Sequence, residues 1–320
     1  MKKILFVTNM FPTLNHPFFG IFIKEQIDAL KNNFEFEEEV YLINGLHKSK
    51  FEYLKSIFLI PFLIIRNKPD IIHIHYGISG LFLLFFKPKI PIYLTLHGCD
   101  FLDHGSNRWQ VWISKVIAKK VDQIFVQNEE MRNLGVTINP KTEILTCGVD
   151  TSFFNPENAK IQAFDKKVII FPSDPQRVEK NYPLFSKVIN RLETVLNDKI
   201  IIKSIDKMSR IEIRDLLSSA DCLLMTSISE GSPQVIKEAL SCGLPVISVP
   251  VGNVKEMVDS VPNCYVSSSF DVGELCSLVV DCLSNEKGAI RKEFIGKYIY
   301  DNSNIASRLA DFYQIPKLIN

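Results

Sequence analysis

Cys222-Leu223-Leu224-Met225-Thr226-Ser227-Ile228-Ser229-Glu230-Gly231-Ser232-Pro233-Gln234-Val235-Ile236-Lys237-Glu238-Ala239-Leu240 reads as a strand, a turn and a helix start in immediate succession. The apolar run Cys222–Met225 is short enough for a buried strand. Gly231 permits a tight turn, Ser232 can cap a helix and Pro233 suits its first position. Val235, Ile236, Ala239 and Leu240 then form an apolar helix face, with Glu238 at its edge. A strand running straight into a helix is half of a βαβ unit.

The same alternation extends in both directions. Strands are expected at Lys167–Phe171, Ile200–Lys203, Pro245–Val249 and Cys264–Val266, with helices at Pro183–Leu196, Ile211–Ser219, Pro233–Cys242 and Val272–Leu283. Ser209 and Glu212 form an S-x-x-E capping box for the second of these. Earlier in the chain, strands fall at Lys3–Thr8, Val40–Asn44, Ile71–His75, Ile92–Leu96, Gln123–Val126 and Glu143–Leu145. Helical patterns cover Ile21–Leu30, Tyr53–Ile65 and Gln110–Lys119. Strands alternating with helices predict an α/β protein with parallel sheets. The stretch from Gly148 to Phe164 has turn residues and no clear apolar period, which marks a hinge. The expected domains are 1–155 and 156–300, with a last helix in 301–320 packing back on the first.

Composition bounds the function. The 320 residues are 46% hydrophobic and 23% charged, with a net charge of +1, the balance of a globular protein and not of a nucleic-acid binder. The near-zero total hides an asymmetry: Gly45–Lys120 holds 11 Lys and Arg against 4 Asp and Glu, an excess of +7. The seven cysteines are irregularly spaced and lack a C-x-x-C pair, which fits a reduced, cytoplasmic compartment. The longest apolar run, Ser56–Ile65, is about half a membrane span.

In doubly wound sheets ligands bind beyond the carboxyl ends of the strands, so residues after each strand are the candidates. No strand is followed by G-x-G-x-x-G, which removes the main support for dehydrogenase chemistry. Glu230 precedes the helix start and Glu238 lies two turns into it. Both carboxylates can border one cleft and accept from vicinal hydroxyls of ribose or hexose. The backbone N–H groups at that helix start suit phosphate or sugar oxygens. After the strand Lys167–Phe171 come Arg177 and Lys180, two cations able to clamp a pyrophosphate. In the first half, His97 of Thr95-Leu96-His97-Gly98-Cys99-Asp100 ends a strand at a glycine turn. His73 and His75 share one strand face, without a third ligand nearby that would make a metal site. Gly20 opens the first helix and can let backbone approach a ligand.

The two glutamates eight apart, the Gly231-Ser232-Pro233 turn and the sequel Ala239-Leu240-Ser241-Cys242-Gly243-Leu244-Pro245-Val246-Ile247 resemble the donor-site motif of the family 4 retaining glycosyltransferases. Val251-Gly252-Asn253-Val254-Lys255-Glu256 is similar to a loop and helix of that family. Gly148–Pro156 is similar to its entry into the second domain, so the likeness covers nearly the whole chain. It implies the GT-B fold, two Rossmann-like domains with parallel sheets facing across a cleft. It also implies roles: Glu238 on the nucleotide ribose, Glu230 and His97 at the transferred sugar, and Gly231, Ser232, Pro233 and Gln234 on sugar or phosphate. Arg177 and Lys180 would lie on the pyrophosphate and Gly20 in the loop facing donor and acceptor. Pro175 stands where the family more often has an arginine, and no counterpart of the family's glycine-rich turn occurs between Leu196 and Ser209.

The resemblance therefore implies a hexosyltransferase using a UDP- or GDP-sugar, with a glycan or lipid-linked glycan as acceptor. No D-x-D motif occurs, and the helix start with Arg177 and Lys180 supplies the positive charge, which points to a metal-independent reaction. The net charge argues against nucleic acid. The basic stretch Gly45–Lys120, interleaved with Phe51, Tyr53, Phe58, Phe62 and Leu81–Phe86, reads either as core among solvated lysines or as a face for an anionic membrane. Two other classes compete: a sugar-nucleotide epimerase or phosphorylase on the same fold, and a catalytically idle nucleotide-sugar-binding subunit.

Overall fold

The computed structural model describes residues 1–103, 108–297 and 299–318. The basic stretch Gly45–Lys120 is therefore described apart from 104–107. The chain divides into two units, Met1–Cys147 with Asn302–Asn320, and Gly148–Asp301.

The first unit runs β1 Lys2–Thr8, α1 Ile21–Asn33, β2 Phe36–Leu42, α2 Phe51–Asn67 and β3 Ile71–His75. A 3-10 stretch Gly77–Leu84 leads to β4 Ile92–Thr95, α3 Arg108–Ala118, β5 Gln123–Val126, α4 Glu129–Val136 and β6 Thr142–Ile144. These strands form one parallel sheet in the order β2-β1-β3-β4-β5-β6. Side chains alternate across it. Leu5 and Val7 pack with α2, the 3-10 stretch and α3, while Ile4 and Phe6 face α1. Burial on both faces explains why β1, β3, β4 and β5 are near-continuous apolar runs. The edge strand β2 starts four residues before the expected Val40. Its acidic run Glu37–Glu39 does not read as a strand, yet it pairs with β1, and Lys3 Nζ lies 3.0 Å from Glu37 Oε1.

The second unit runs β7 Val168–Phe171, α5 Tyr182–Leu196, β8 Ile201–Ser204, α6 Arg210–Ser219, β9 Cys222–Met225 and α7 Gln234–Ser241. It continues through β10 Val246–Ser248, α8 Val254–Val258, β11 Tyr265–Val266, α9 Val272–Ser284 and α10 Ile290–Gly296. Its parallel sheet has the order β11-β10-β9-β7-β8. One apolar cluster, including Phe171, Phe185, Leu224, Ile236 and Val279, fills it. The expected architecture of two parallel-sheet α/β units is therefore observed. α11 Asn302–Tyr313 returns to the first unit and packs against α1.

Candidate functional site

In the second sheet, β8 lies to one side of β7, and β9, β10 and β11 lie to the other. The winding reverses between β7 and β9, the position where such sheets leave a crevice at the strands' carboxyl ends. The loops from those two strands are knitted together. Thr226 Oγ1 donates to the carbonyls of Lys180 and Asn181, both at 3.1 Å, and the Ile228 amide donates to the Glu179 carbonyl at 2.9 Å. The loop after β10 closes against them at Gly252, whose φ is +52°. A Cβ there would meet the Gly231 carbonyl oxygen at 2.6 Å.

This packing brings the sequence-predicted Lys180 and Glu230 into an ion pair, Nζ to Oε1 2.6 Å. Glu238, on the inward side of α7, is buried with 4% of its side chain exposed, and its Oε1 accepts from Arg210 Nη1 at 2.8 Å. Arg210 also lies over the Phe154 ring, 4.6 Å from its centroid. Sequence reasoning did not pick out Arg210, although it had found the capping box that places it. The Ser209 amide donates to Glu212 Oε2 at 2.7 Å and the Glu212 amide to Ser209 Oγ at 3.2 Å, which starts α6 at Arg210. A signal was present, because a cation in a helix's first turn opposes the macrodipole and so points to a partner elsewhere.

The other candidates sit differently. Arg177 is exposed, with Nε donating to Glu179 Oε1 at 2.8 Å. It stands outside the Lys180–Glu230 pair. Ser232 does not cap α7, contrary to expectation. Pro233, with ψ 120°, is itself the N-cap and is extended, so the helix starts at Gln234. Ser232 Oγ is buried without a hydrogen-bond partner. Gln234 Nε2 donates to the Gly148 carbonyl, and Lys237 Nζ to Gln234 Oε1 at 3.4 Å, so this amide braces the start of the second unit.

In the first sheet the winding reverses between β1 and β3. Gly20, in the loop after β1, has φ +70°, and a Cβ would meet the Met10 carbonyl carbon at 2.5 Å. Its missing side chain thus admits its own loop. His97 follows β4 and is half-buried against the Phe22 and Tyr76 rings. Asp100 builds this turn: its Oδ1 accepts from the amides of His97 at 2.9 Å and Gly98 at 3.1 Å, and its Oδ2 from Gly77 at 3.2 Å. It clamps the loops after β3 and β4 together. Full burial pushes its carboxyl up to about 6 against the pull of those donors.

His73 is a fixture of the core, bonded to the Tyr313 hydroxyl and, at 2.7 Å, to Thr95 Oγ1. His75 instead faces His97, Nδ1 to Nε2 3.3 Å, while its own Nε2 has no partner. Burial lowers His75 to about 3, so it is neutral and carries one ring proton. An orphaned buried N–H is the rarer and costlier fault, which puts that proton on Nδ1. His97 Nε2 then accepts, and in neutral His97 the proton sits on Nδ1, 3.9 Å from Cys147 Sγ. Among the described residues no three His, Cys, Asp or Glu side chains come together as a metal site.

Residues 26–153 match the family model described as Glycosyltransferase Family 4, and residues 167–285 match that of Glycosyl transferases group 1. An uncharacterized glycosyltransferase of Methanocaldococcus jannaschii is 25% identical, over 91% of this chain and 94% of that protein. Among solved structures, sucrose-phosphate synthase from Thermosynechococcus elongatus aligns with a TM-score of 0.76 at 14% identity, covering 98% of both chains. HepE of Anabaena, in complex with UDP-glucose, aligns with a TM-score of 0.71 at 13% identity, covering 98% of this chain and 100% of that one. At these identities the structural likeness concerns the fold.

Proposed function

Because this chain belongs to glycosyltransferase family 4, with its second half in the group 1 glycosyl transferases, we propose that it moves a hexose from a UDP- or GDP-sugar to a hydroxyl of a glycan or lipid-linked glycan. On this reading the reaction retains the anomeric configuration and needs no metal. The second unit takes the nucleotide sugar and the first takes the acceptor. The enzyme serves polysaccharide biosynthesis at the cytoplasmic face of a membrane, to which its basic stretch Gly45–Lys120 attaches it peripherally.

The observation that carries this reading is the pair of shielded ion pairs, Lys180–Glu230 between the loops after β7 and β9, and Arg210–Glu238 between α6 and α7. Desolvating four charges is costly, and apolar residues would serve folding as well or better. Their retention fits a site in which ligand groups replace some of the partners. A carboxylate has about four lone-pair sites, and Arg210 takes one of Glu238's, leaving others for ribose hydroxyls. An entering pyrophosphate exchanges with Glu230 on Lys180 and frees Glu230 for the transferred sugar. Ser232 Oγ gains the partner it lacks, beside the amides of Gly231 and Gln234 and the Pro233 turn. Arg177 joins only by releasing Glu179. In the first unit, Gly20 and His97 stand after β1 and β4, and the His97 Nδ1–H exchanges Cys147 Sγ for the sugar.

In the reaction the acceptor oxygen bonds to the anomeric carbon on the face from which the nucleoside diphosphate departs. The bond from that carbon to the phosphate oxygen breaks, its electron pair stays on that oxygen, and the same oxygen takes the hydroxyl proton. Lys180 and the N-terminal turn of α7 stabilise the charge that develops there.

Lys180→Ala tests the donor site. It should weaken binding of UDP or GDP at least tenfold more than binding of uridine or guanosine, read by calorimetry. Equal losses for nucleoside and diphosphate would remove the pyrophosphate clamp, and Arg177→Ala read in the same way decides whether Arg177 belongs to it.

A further inference from the structure

The helix α2 buries Ser56, Ile60 and Ile64 against the first unit's core. At about 100° per residue, these three lie on one side of the helix. Phe51, Leu54, Phe58, Phe62 and Ile65 fall within about 80° of one another on the opposite side. All five are exposed, Phe58 by 72% and Ile65 by 64%. The spacing of three, four, four and three residues makes a continuous seam rather than scattered apolar side chains. Single exposed apolar residues need no explanation, whereas a contiguous strip of large ones marks an interaction surface.

The charge beside the seam selects the partner. Lys55 and Arg66 are exposed along one rim of the helix, and Lys50 and Lys68 stand exposed at its two ends. The nearby Lys48 is paired with Glu52, Nζ to Oε1 3.0 Å. No helix among the described residues is long and apolar enough to cross a membrane. α2 itself is pinned to the sheet by its other face, so a bilayer can meet it only lengthwise. An apolar strip rimmed by Lys and Arg matches an interface of acyl chains below and anionic headgroups above. A second protein copy would have to bury those cations against a like-charged face.

We propose that the outer seam of α2, centred on Phe58 and Phe62 and rimmed by Lys50, Lys55, Arg66 and Lys68, lies in the surface of an anionic bilayer. This rests on the peripheral-membrane part of the reading above and changes its physics. Apolar insertion holds the protein, and the cations orient it. Attachment therefore survives moderate salt, which screens charges only.

The test is co-sedimentation of the whole protein with phosphatidylcholine vesicles, with and without phosphatidylglycerol. Wild type should bind the anionic vesicles, and Phe58→Glu/Phe62→Glu should reduce that partitioning at least tenfold. Because these side chains are exposed, the double variant should keep its unfolding temperature and its affinity for UDP or GDP. A Phe58→Trp variant should show blue-shifted emission on vesicle addition and none without lipid. Wild-type binding by the double variant, or emission unchanged by vesicles, overturns the proposal. So does a seam whose substitution converts a dimer to a monomer with no vesicle binding, which would make it a contact between copies. Wild type that binds nucleotide but ignores the anionic vesicles counts against the seam alone, whereas wild type that binds the vesicles but no nucleotide counts against the transferase reading alone.

Discussion

Arg210 shows how a residue can be unfavourable locally and required globally. A cation at the first position of a helix opposes the macrodipole, at about 0.3–1 kcal/mol. It stays because Glu238, buried on the next helix, needs a counter-charge. Glu238→Ala and Arg210→Ala should each weaken nucleotide binding by about 1–3 kcal/mol, the range for stranding a buried partner. The double variant should lose clearly less than the sum, since both changes remove one interaction. Glu230→Ala should instead lower turnover more than affinity. Calorimetry beside steady-state rates separates these outcomes, and strictly additive losses would detach Arg210 from Glu238. Glu238 was legible from its place on α7 together with the family resemblance, but Arg210 was legible only as the residue after a cap.

Among the elements, the loop after β10 makes a close backbone approach to the donor motif. Gly252 needs both its φ of +52° and its missing Cβ, because the nearest atoms are the carbonyl oxygens of Gly231 and Glu230. Gly243 has a similar φ, +73°, at the end of α7, yet a Cβ there would meet only Arg291 Cβ at 3.9 Å. Both Gly→Ala changes should cost about 1–3 kcal/mol of stability from backbone strain. Only Gly252→Ala should also reduce nucleotide affinity, since its neighbour must shift Glu230. Denaturant curves and calorimetry on the two variants check this, and equal affinities in both would uncouple the loop from the site. Gly243 was readable as a helix-ending glycine. The demand on Gly252 was not, because the backbone it approaches comes from a different loop.

At the scale of the whole molecule, the first unit is discontinuous. α11 lies beyond the entire second unit in sequence, yet Ile305, Leu309 and Tyr313 belong to the first unit's core. Tyr313 is buried, its hydroxyl meets His73, and its carbonyl accepts from Lys2 Nζ at 2.8 Å. A chain ended after Asp301 should therefore lose the cooperative unfolding of the first unit while the second keeps its own transition. The milder Tyr313→Phe should cost about 1–3 kcal/mol, because it leaves a buried imidazole nitrogen unpaired. Calorimetric or denaturant unfolding reads both, and an unchanged first-unit transition in the shortened chain would make α11 dispensable.

Short-range chemistry along the chain determined the strand set, most of the helices between them, the capping box of α6 and the position of Glu230 and Glu238 after β9. Apolar period, turn residues and caps act over a few neighbours, so a linear reading recovers them. It also carried the two-sheet α/β class, because strands alternating with helices pack as βαβ units with a parallel sheet. Tertiary structure alone decided who meets whom. Arg210 and Glu238 are 28 residues apart, Lys180 and Glu230 50, and His73 and Tyr313 240. It also decided that the apolar seam of α2 faces outward, since a helix with two apolar faces can turn only one of them to its own core. Strand order and helix docking set those relations, and they arise from the burial of whole faces rather than from any local run of residues.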